Sequence, residues 1–348
     1  MKKKKLNICV LTSNNILIQR SGIGVAIRQQ ISILNQLNFK NPDISVNKVP
    51  LRRADIVHIN TVFPDSVLKA LYAKLYGCRI IYFGHSTKED WKNSFKGSNL
   101  SAPFIKLWFM FCYQLGDVII TPTAYSKKIL KEYGIRKPVF AVSNGIDTEY
   151  WKREKYTEYE RKEYWKQYGI SSERKIIMSV GHYMERKGFP EFCNLARKNP
   201  DIDFIWFGFT APDMRSECIK RALQNIPGNL YLPGFIDGEK LKKAYTFSDL
   251  FLFLSHEETE GIVVSEALAM ETPMIVRDIP VYESWLKNNV NTYMFRSGKE
   301  LKELIPFVLS HDNSRITSNA RKSACLKDFN HIGEKYLKVY EKMKLIRR

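Results

Sequence analysis

Short apolar runs alternate along this chain with longer amphipathic stretches, and the rhythm occurs twice. In the first half, strand-like runs at 7–12, 55–59, 79–83, 118–121 and 139–142 are separated by helical stretches such as 24–36 and 64–76. The same alternation restarts with runs at 175–180, 203–208, 230–232, 250–254 and 274–277. Strands that interleave with helices imply parallel sheets covered on both faces. The expected class is α/β, with two Rossmann-like, doubly wound parallel-sheet domains. Between the halves stand the turn signal Ser143-Asn-Gly-Ile-Asp147 and a polar segment, 148–168. These set the expected domains at 1–145 and 146–330. A basic amphipathic helix within 331–348 is expected to pack back toward the first domain.

At 348 residues the chain exceeds what one core usually absorbs, which agrees with two domains. Its six cysteines, Cys9, Cys78, Cys112, Cys193, Cys218 and Cys325, show no CxxC pair or metal-like spacing, as expected for a reducing cytosol. The start Met1-Lys-Lys-Lys-Lys5 imitates the charged part of an export leader. The apolar run after it contains Asn7 and is too short, so it is read as the first strand. No stretch reaches the roughly eighteen apolar residues of a membrane span.

Charge changes the picture more. Residues 1–145 hold 22 Lys/Arg against 7 Asp/Glu, so +15 of the total +19 falls there and +4 on the rest. A basic half beside a nearly neutral one points to an acidic surface as the partner of the first domain. No nucleic-acid-binding module accompanies the charge, so an anionic membrane is preferred to nucleic acid.

Candidate chemistry concentrates in Ser255-His-Glu-Glu-Thr-Glu-Gly-Ile-Val-Val-Ser-Glu266, at a strand-to-helix junction of the kind where open α/β sheets bind ligands. Glu258 precedes the helix and suits sugar hydroxyls; Glu266, two turns on, suits a ribose diol. Gly261 and the amide of Ile262 open the helix, where phosphate is held. The loop Gly181-His-Tyr-Met-Glu-Arg186-Lys187-Gly188 adds paired cations at another strand end, as a diphosphate leaving group requires. In the first half, Gly22 and Gly24 allow close approach of a phosphate or sugar, and the third position of a dinucleotide fingerprint is Ile27. A nicotinamide or flavin is therefore not expected. His85 ends a strand, where it can donate to a substrate hydroxyl. Asp201-Ile-Asp203 precedes a strand and is read as a turn, so no essential metal is inferred. The segment 101–116 is a helix that is apolar almost all round, with Pro103 in its first turn. Buried core is one reading of it. In the other, Trp108 and Tyr113, with Lys88, Lys92, Lys96 and Lys106, lean on a lipid interface or an acceptor.

Taken together, the interdomain Ser-Asn-Gly-Ile-Asp, the Gly…Lys187-Gly188 loop and the Glu-x7-Glu pair resemble glycosyltransferase family 4, over essentially the whole chain. The segments 22–30, 58–60, 84–100 and 279–285 are similar to the bacterial subgroup that extends glucosyl-diacylglycerol to a diglycosyl lipid. The resemblance implies a GT-B fold with two domains facing a cleft. It also implies a retaining hexosyltransferase that uses a UDP-hexose, glucose or galactose, with no cofactor and no metal. Lys187 would bind the donor diphosphate, Glu258 the sugar hydroxyls, Glu266 the ribose, and His85 would lie near the donor sugar. Two departures stand out: His182 occupies the place of the usual arginine, leaving Arg186 to supply the second charge, and Thr259-Glu260-Gly261 replaces Gly-Phe-Gly. A glycolipid acceptor implies a cytoplasmic protein on the inner membrane face. The alternatives are a transferase for capsule, teichoic acid or protein-linked glycan, and, more remotely, a non-enzymatic basic binding protein.

Overall fold

The apolar runs are strands, and both sheets are wholly parallel. The structure, a computed structural model, describes residues 5–12, 15–40, 43–236 and 238–345; Met1–Lys4 of the lysine start and the last three residues of the tail lie outside them. In the first sheet β1 (Leu6–Val10), β2 (Ile44–Val46), β3 (Ile56–Ile59), β4 (Arg79–Phe83), β5 (Val118–Thr121) and β6 (Val139–Ala141) run in the order β2-β1-β3-β4-β5-β6. Around it lie α1 (Ile16–Gln19), α2 (Gly22–Lys40), α3 (Pro64–Leu75), α4 (Lys88–Trp91), α5 (Ser98–Gln114) and α6 (Ala124–Glu132).

The second sheet contains β7 (Lys175–Val180), β8 (Ile202–Phe207), β9 (Leu230–Gly234), β10 (Leu250–Phe253), β11 (Met274–Arg277) and β12 (Tyr293–Phe295), ordered β12-β11-β10-β7-β8-β9. Its helices are α7 (Glu158–Lys166), α8 (Phe189–Lys198), α9 (Glu217–Gln224), α10 (Gly238–Phe247), α11 (Ile262–Ala269), α12 (Gly298–Ser310) and α13 (Ser314–Cys325). The edge strands β2 and β12 are three residues each, too short for an apolar run to announce them. Asp203 is not in a turn: it is the second residue of β8, buried, with Arg174 3.8 Å away, and burial raises its carboxyl. That is the amino end of the strand, opposite the loops described below.

Two compact units result. The first holds the residues up to Glu89, Ser101–Asp147 and those from Lys327 on; the second holds Asp90–Leu100 and Thr148–Leu326. The excursion at 90–100 is tied to the second unit by Lys96 N to Met214 O, 3.0 Å, and Arg186 N to Asn93 O, 2.9 Å. Lys92 and Lys96, expected in the first domain, therefore belong to the second unit. Helix α5 starts at Ser98, so Pro103 lies inside it and not in its first turn. In the first unit the outgoing and returning chain lie together, with Ile146 N donating to Lys327 O at 3.0 Å.

The tail helix α14 (Phe329–Leu345) completes the first unit's core. Its Ile332, Tyr336, Val339, Tyr340 and Met343 pack with Ile8, Ile33 and Leu37. Tyr336 and Tyr340 also flank His58, a fully buried residue of β3 whose Nε2 lies 3.2 Å from the Tyr340 hydroxyl. Burial lowers His58 to about 3 and His85 to about 4, against an ordinary 6.5. Because these folded values lie below the unfolded one, the stability they contribute is complete above about pH 6.5 and is lost as pH falls toward them. Each proton costs about 1.4 kcal/mol per pH unit in that window. Melting curves from pH 7 to 4 are expected to show a falling Tm, with a shallower fall in His58→Asn; parallel slopes would contradict this account.

Candidate functional site

In the second unit β11, β10 and β7 are neighbours, and the loops leaving their carboxyl ends bring together residues about 70 to 100 apart in sequence. The β7 loop carries Arg186 and Lys187, the β10 loop carries Ser255 to Gly261, and the β11 loop carries Tyr282. Glu258 is the hub. Its Oε1 receives the Lys187 ammonium in a close ion pair and the Ser255 hydroxyl at 2.7 Å, and Arg186 Nη1 stands 3.6 Å away. Arg186 is held by the Glu257 carbonyl at 2.6 Å from Nη1 and by Ser94 Oγ at 2.8 Å from Nε. The segment 90–100 thus helps fix the second cation.

All three charged side chains are largely buried, at 16 % exposure for Lys187, 11 % for Arg186 and 9 % for Glu258. Burial alone would raise the Glu258 carboxyl, but Lys187 and Arg186 outweigh it, so Glu258 titrates below the usual range and is ionised. Burial lowers Lys187, with Glu258 opposing and Arg186 adding to the shift. Two cations share the Glu258 carboxylate, with Asp90 also acting on Lys187, and their largely buried charge attracts an anion more strongly than it would in water. His182, also lowered by burial, has its Nδ1 2.5 Å from the Phe209 carbonyl, so Arg186 and not His182 supplies the second charge beside Lys187.

Helix α11 begins at the same place. Gly261 caps it in the left-handed region, φ 86°, a conformation other residues adopt only with strain. Ile262 is the first helical residue, so its amide is among the first-turn donors that no helical carbonyl can reach. A side chain at Gly261 would point at the Tyr282 hydroxyl, 3.2 Å from an ideal Cβ. That hydroxyl is buried and makes no hydrogen bond among the described residues. Glu266, one turn into α11, accepts from the Tyr245 hydroxyl at 3.1 Å. Arg186, Lys187, Glu258, Gly261, Ile262 and Glu266 are therefore assembled in one unit.

Gly22, Gly24 and His85 lie in the other unit. Ile23, Asn60, Phe63, His85 and Ser86 line a small pocket beyond the ends of its strands. Packing by itself requires glycine at Gly24: a Cβ there would come within 2.2 Å of the Ile18 carbonyl oxygen of α1. Gly22 has open space around it. Asn60 donates to Gln30 Oε1 at 3.0 Å, and its Oδ1 lies 3.0 Å from His85 Nε2. An amide oxygen only accepts, so Nε2 carries the proton, and neutral His85 presents an acceptor at Nδ1 instead of the expected donor. Trp108 turns inward, donating to the Val62 carbonyl at 2.6 Å, and Tyr113 is buried with its hydroxyl on Ser86 O at 2.7 Å. Lys88 is half-buried, and Lys106 lies over the Tyr133 ring at 4.8 Å. Sequence reasoning gave no role to Tyr282, Ser255, Ser94 or Asn60; Ser255 stands three residues before Glu258 in the same loop, whereas strand order brings in the loop of Tyr282 and the 90–100 excursion brings in Ser94.

Residues 34–150 match the family described as Glycosyltransferase Family 4, and residues 160–323 match Glycosyl transferases group 1. The processive diacylglycerol alpha-glucosyltransferase of Acholeplasma laidlawii is 32% identical over 344 residues, covering 99% of this chain and 100% of that protein. The alpha-galactosylglucosyldiacylglycerol synthase of Streptococcus pneumoniae is 26% identical, covering 100% of this chain and 92% of that one. Among solved structures, HepE of Anabaena in complex with UDP-glucose has a similar fold, with a TM-score of 0.75 at 15% identity over 97% of this chain and 99% of that one.

Proposed function

The chain belongs to glycosyltransferase family 4, and from that premise we propose that it moves a hexose from a UDP-sugar to monoglucosyl-diacylglycerol. Glucose is the favoured donor sugar and galactose the alternative. The protein is a glycosyltransferase, which sets aside a non-enzymatic basic binding protein. The observation that carries the donor half of the reading is the buried Arg186–Lys187–Glu258 cluster beside the start of α11. The acceptor half is supported by the two relatives, whose names specify diacylglycerol and its glycolipids.

In this reading the hard part of the reaction is charge that builds on the UDP leaving group. Lys187, Arg186 and the first amides of α11 stabilise it, with no resident metal in the scheme. Glu258 orients hexose hydroxyls, and Glu266 takes the ribose diol. The acceptor hydroxyl attacks from the face the leaving group departs, its proton passes to the leaving phosphate oxygen, and the anomeric configuration is retained. The protein works as a peripheral enzyme on the inner face of the cell membrane.

The test is transfer of label from UDP-glucose and, separately, UDP-galactose into lipid, with glucosyl-diacylglycerol in anionic vesicles and plain diacylglycerol as the comparison acceptor. Product with the glycosylated lipid alone supports the proposal and names the donor. No lipid product from a protein that binds UDP would move the acceptor to capsule, teichoic acid or protein-linked glycan.

The Tyr282 hydroxyl faces Gly261 at the phosphate end of this scheme. A hydrogen bond from it to the donor would be worth about 1 kcal/mol. Tyr282→Phe is therefore expected to raise KM for the UDP-sugar roughly fivefold with the melting temperature unchanged. An unaltered KM would remove Tyr282 from the site.

A further inference from the structure

Helix α3 is built inside out, and α5 is apolar on its exposed as well as its buried side. On α3 the residues turned to the sheet are small, Ser66, Val67, Ala70 and Ala73, while Leu68, Leu71 and Leu75 are exposed at 68 %, 49 % and 81 %. On α5, Ala102, Phe109 and Cys112 are buried, yet Phe104, Leu107 and Phe111 form a second row in solvent at spacings of three and four residues. A helix that covers a core normally does the reverse. The inward side of α5 reaches the start of α3: Trp108 and Cys112 both contact the Val62 carbonyl, next to Phe63, which caps α3 and is itself exposed. Such a patch marks an interaction surface.

We propose that this face of the first unit lies on an anionic bilayer, with the leucines and phenylalanines of α3 and α5 entering the acyl region. The proposal deepens the glycolipid reading and rests on it for the identity of the occupant. Three observations favour lipid over a second copy of the chain. The rings of Tyr72 and Tyr76 pack in a tilted pair, 4.8 Å between centroids, near the end of α3, with Arg52 close enough to Tyr72 to act on it, so aromatic rings and cations border the apolar row as they do at membrane surfaces. The half that carries the face holds +15, which opposes self-association and favours anionic lipid. The face is also continuous with the pocket bearing His85, since Phe63 belongs to both. A glycolipid whose chains stay in the bilayer could present its sugar there. Among the described residues no helix is long and apolar enough to cross a membrane, so contact of this kind would be interfacial.

The experiment compares the whole protein with Leu71→Ser/Leu75→Ser and Phe104→Ser/Phe111→Ser by co-sedimentation with phosphatidylglycerol vesicles that contain no glycolipid. Melting temperature, UDP binding and sedimentation velocity are recorded alongside. Each double variant is expected to bind vesicles at least about tenfold more weakly, with UDP affinity, Tm and a monomeric state unchanged. Full vesicle binding by both variants would overturn the proposal. So would a wild-type dimer that the substitutions disperse without effect on vesicle binding, which would assign the face to a second copy. Because the vesicles contain no acceptor, failure of the acceptor assignment would show in the label-transfer assay and leave this result untouched.

Discussion

Lys187→Ala is expected to lower turnover by about 100- to 1000-fold, the usual effect of removing one contact to the charge that develops in a transition state. The same substitution strands the Glu258 carboxylate, which is buried against Lys187 and keeps only Ser255 and a 3.6 Å approach from Arg186. Leaving a buried charge short of its partner costs up to about 3 kcal/mol. Lower activity could therefore reflect poorer folding as well as lost chemistry. Adding Glu258→Gln separates the two, because an amide needs no cation. The double variant is expected to recover the melting temperature and to turn over far more slowly than Glu258→Gln alone, the reference for the loss that the amide itself brings. Turnover that returned along with stability would show that Lys187 serves the fold and not the reaction.

The parts of this site that could be read from the chain are those written locally. Glycines and charges beside apolar runs mark strand ends, and the runs at 175–180, 250–254 and 274–277 are β7, β10 and β11 within a residue. What could not be read depends on which segments meet. Nothing local says that residues 90–100 leave their own unit so that Ser94 and Asn93 brace Arg186. The sequence of α3 shows its helical period, yet period alone does not say which face is buried. Crowding against the sheet favours Ala70 and Ala73 there and sends the leucines outward. The indole of Trp108 finds its acceptor in the Val62 carbonyl, a partner 46 residues away that no local pattern announces.

The two glutamates of the Glu-x7-Glu pair are expected to separate on UDP binding. Glu258 lies against both cations, so Glu258→Gln removes the carboxylate paired with them and makes the cluster one charge more positive. The added attraction for a diphosphate acts from a largely buried position, and UDP is expected to bind about 3- to 10-fold more tightly. Hexose transfer should nonetheless fall about 100-fold, because the hydroxyls lose the carboxylate that aligns the sugar, and small misplacements of a reacting centre cost that much. Lys187 and Arg186 gather on Glu258, whereas the Glu266 carboxylate accepts from Tyr245, whose hydroxyl also reaches the Val263 carbonyl at 3.1 Å. Glu266→Ala therefore leaves the cation cluster intact and removes acceptors for the ribose. UDP is expected to bind about tenfold more weakly, in line with the loss of a hydrogen bond to a charged group. Calorimetric titration of UDP into each variant reads the sign directly. Tighter binding in Glu258→Gln with weaker binding in Glu266→Ala requires one carboxylate that competes with the phosphates for the cations and one that holds the nucleoside. Weakening by the same factor in both would mean that Glu258 helps to bind UDP and does not restrain Lys187.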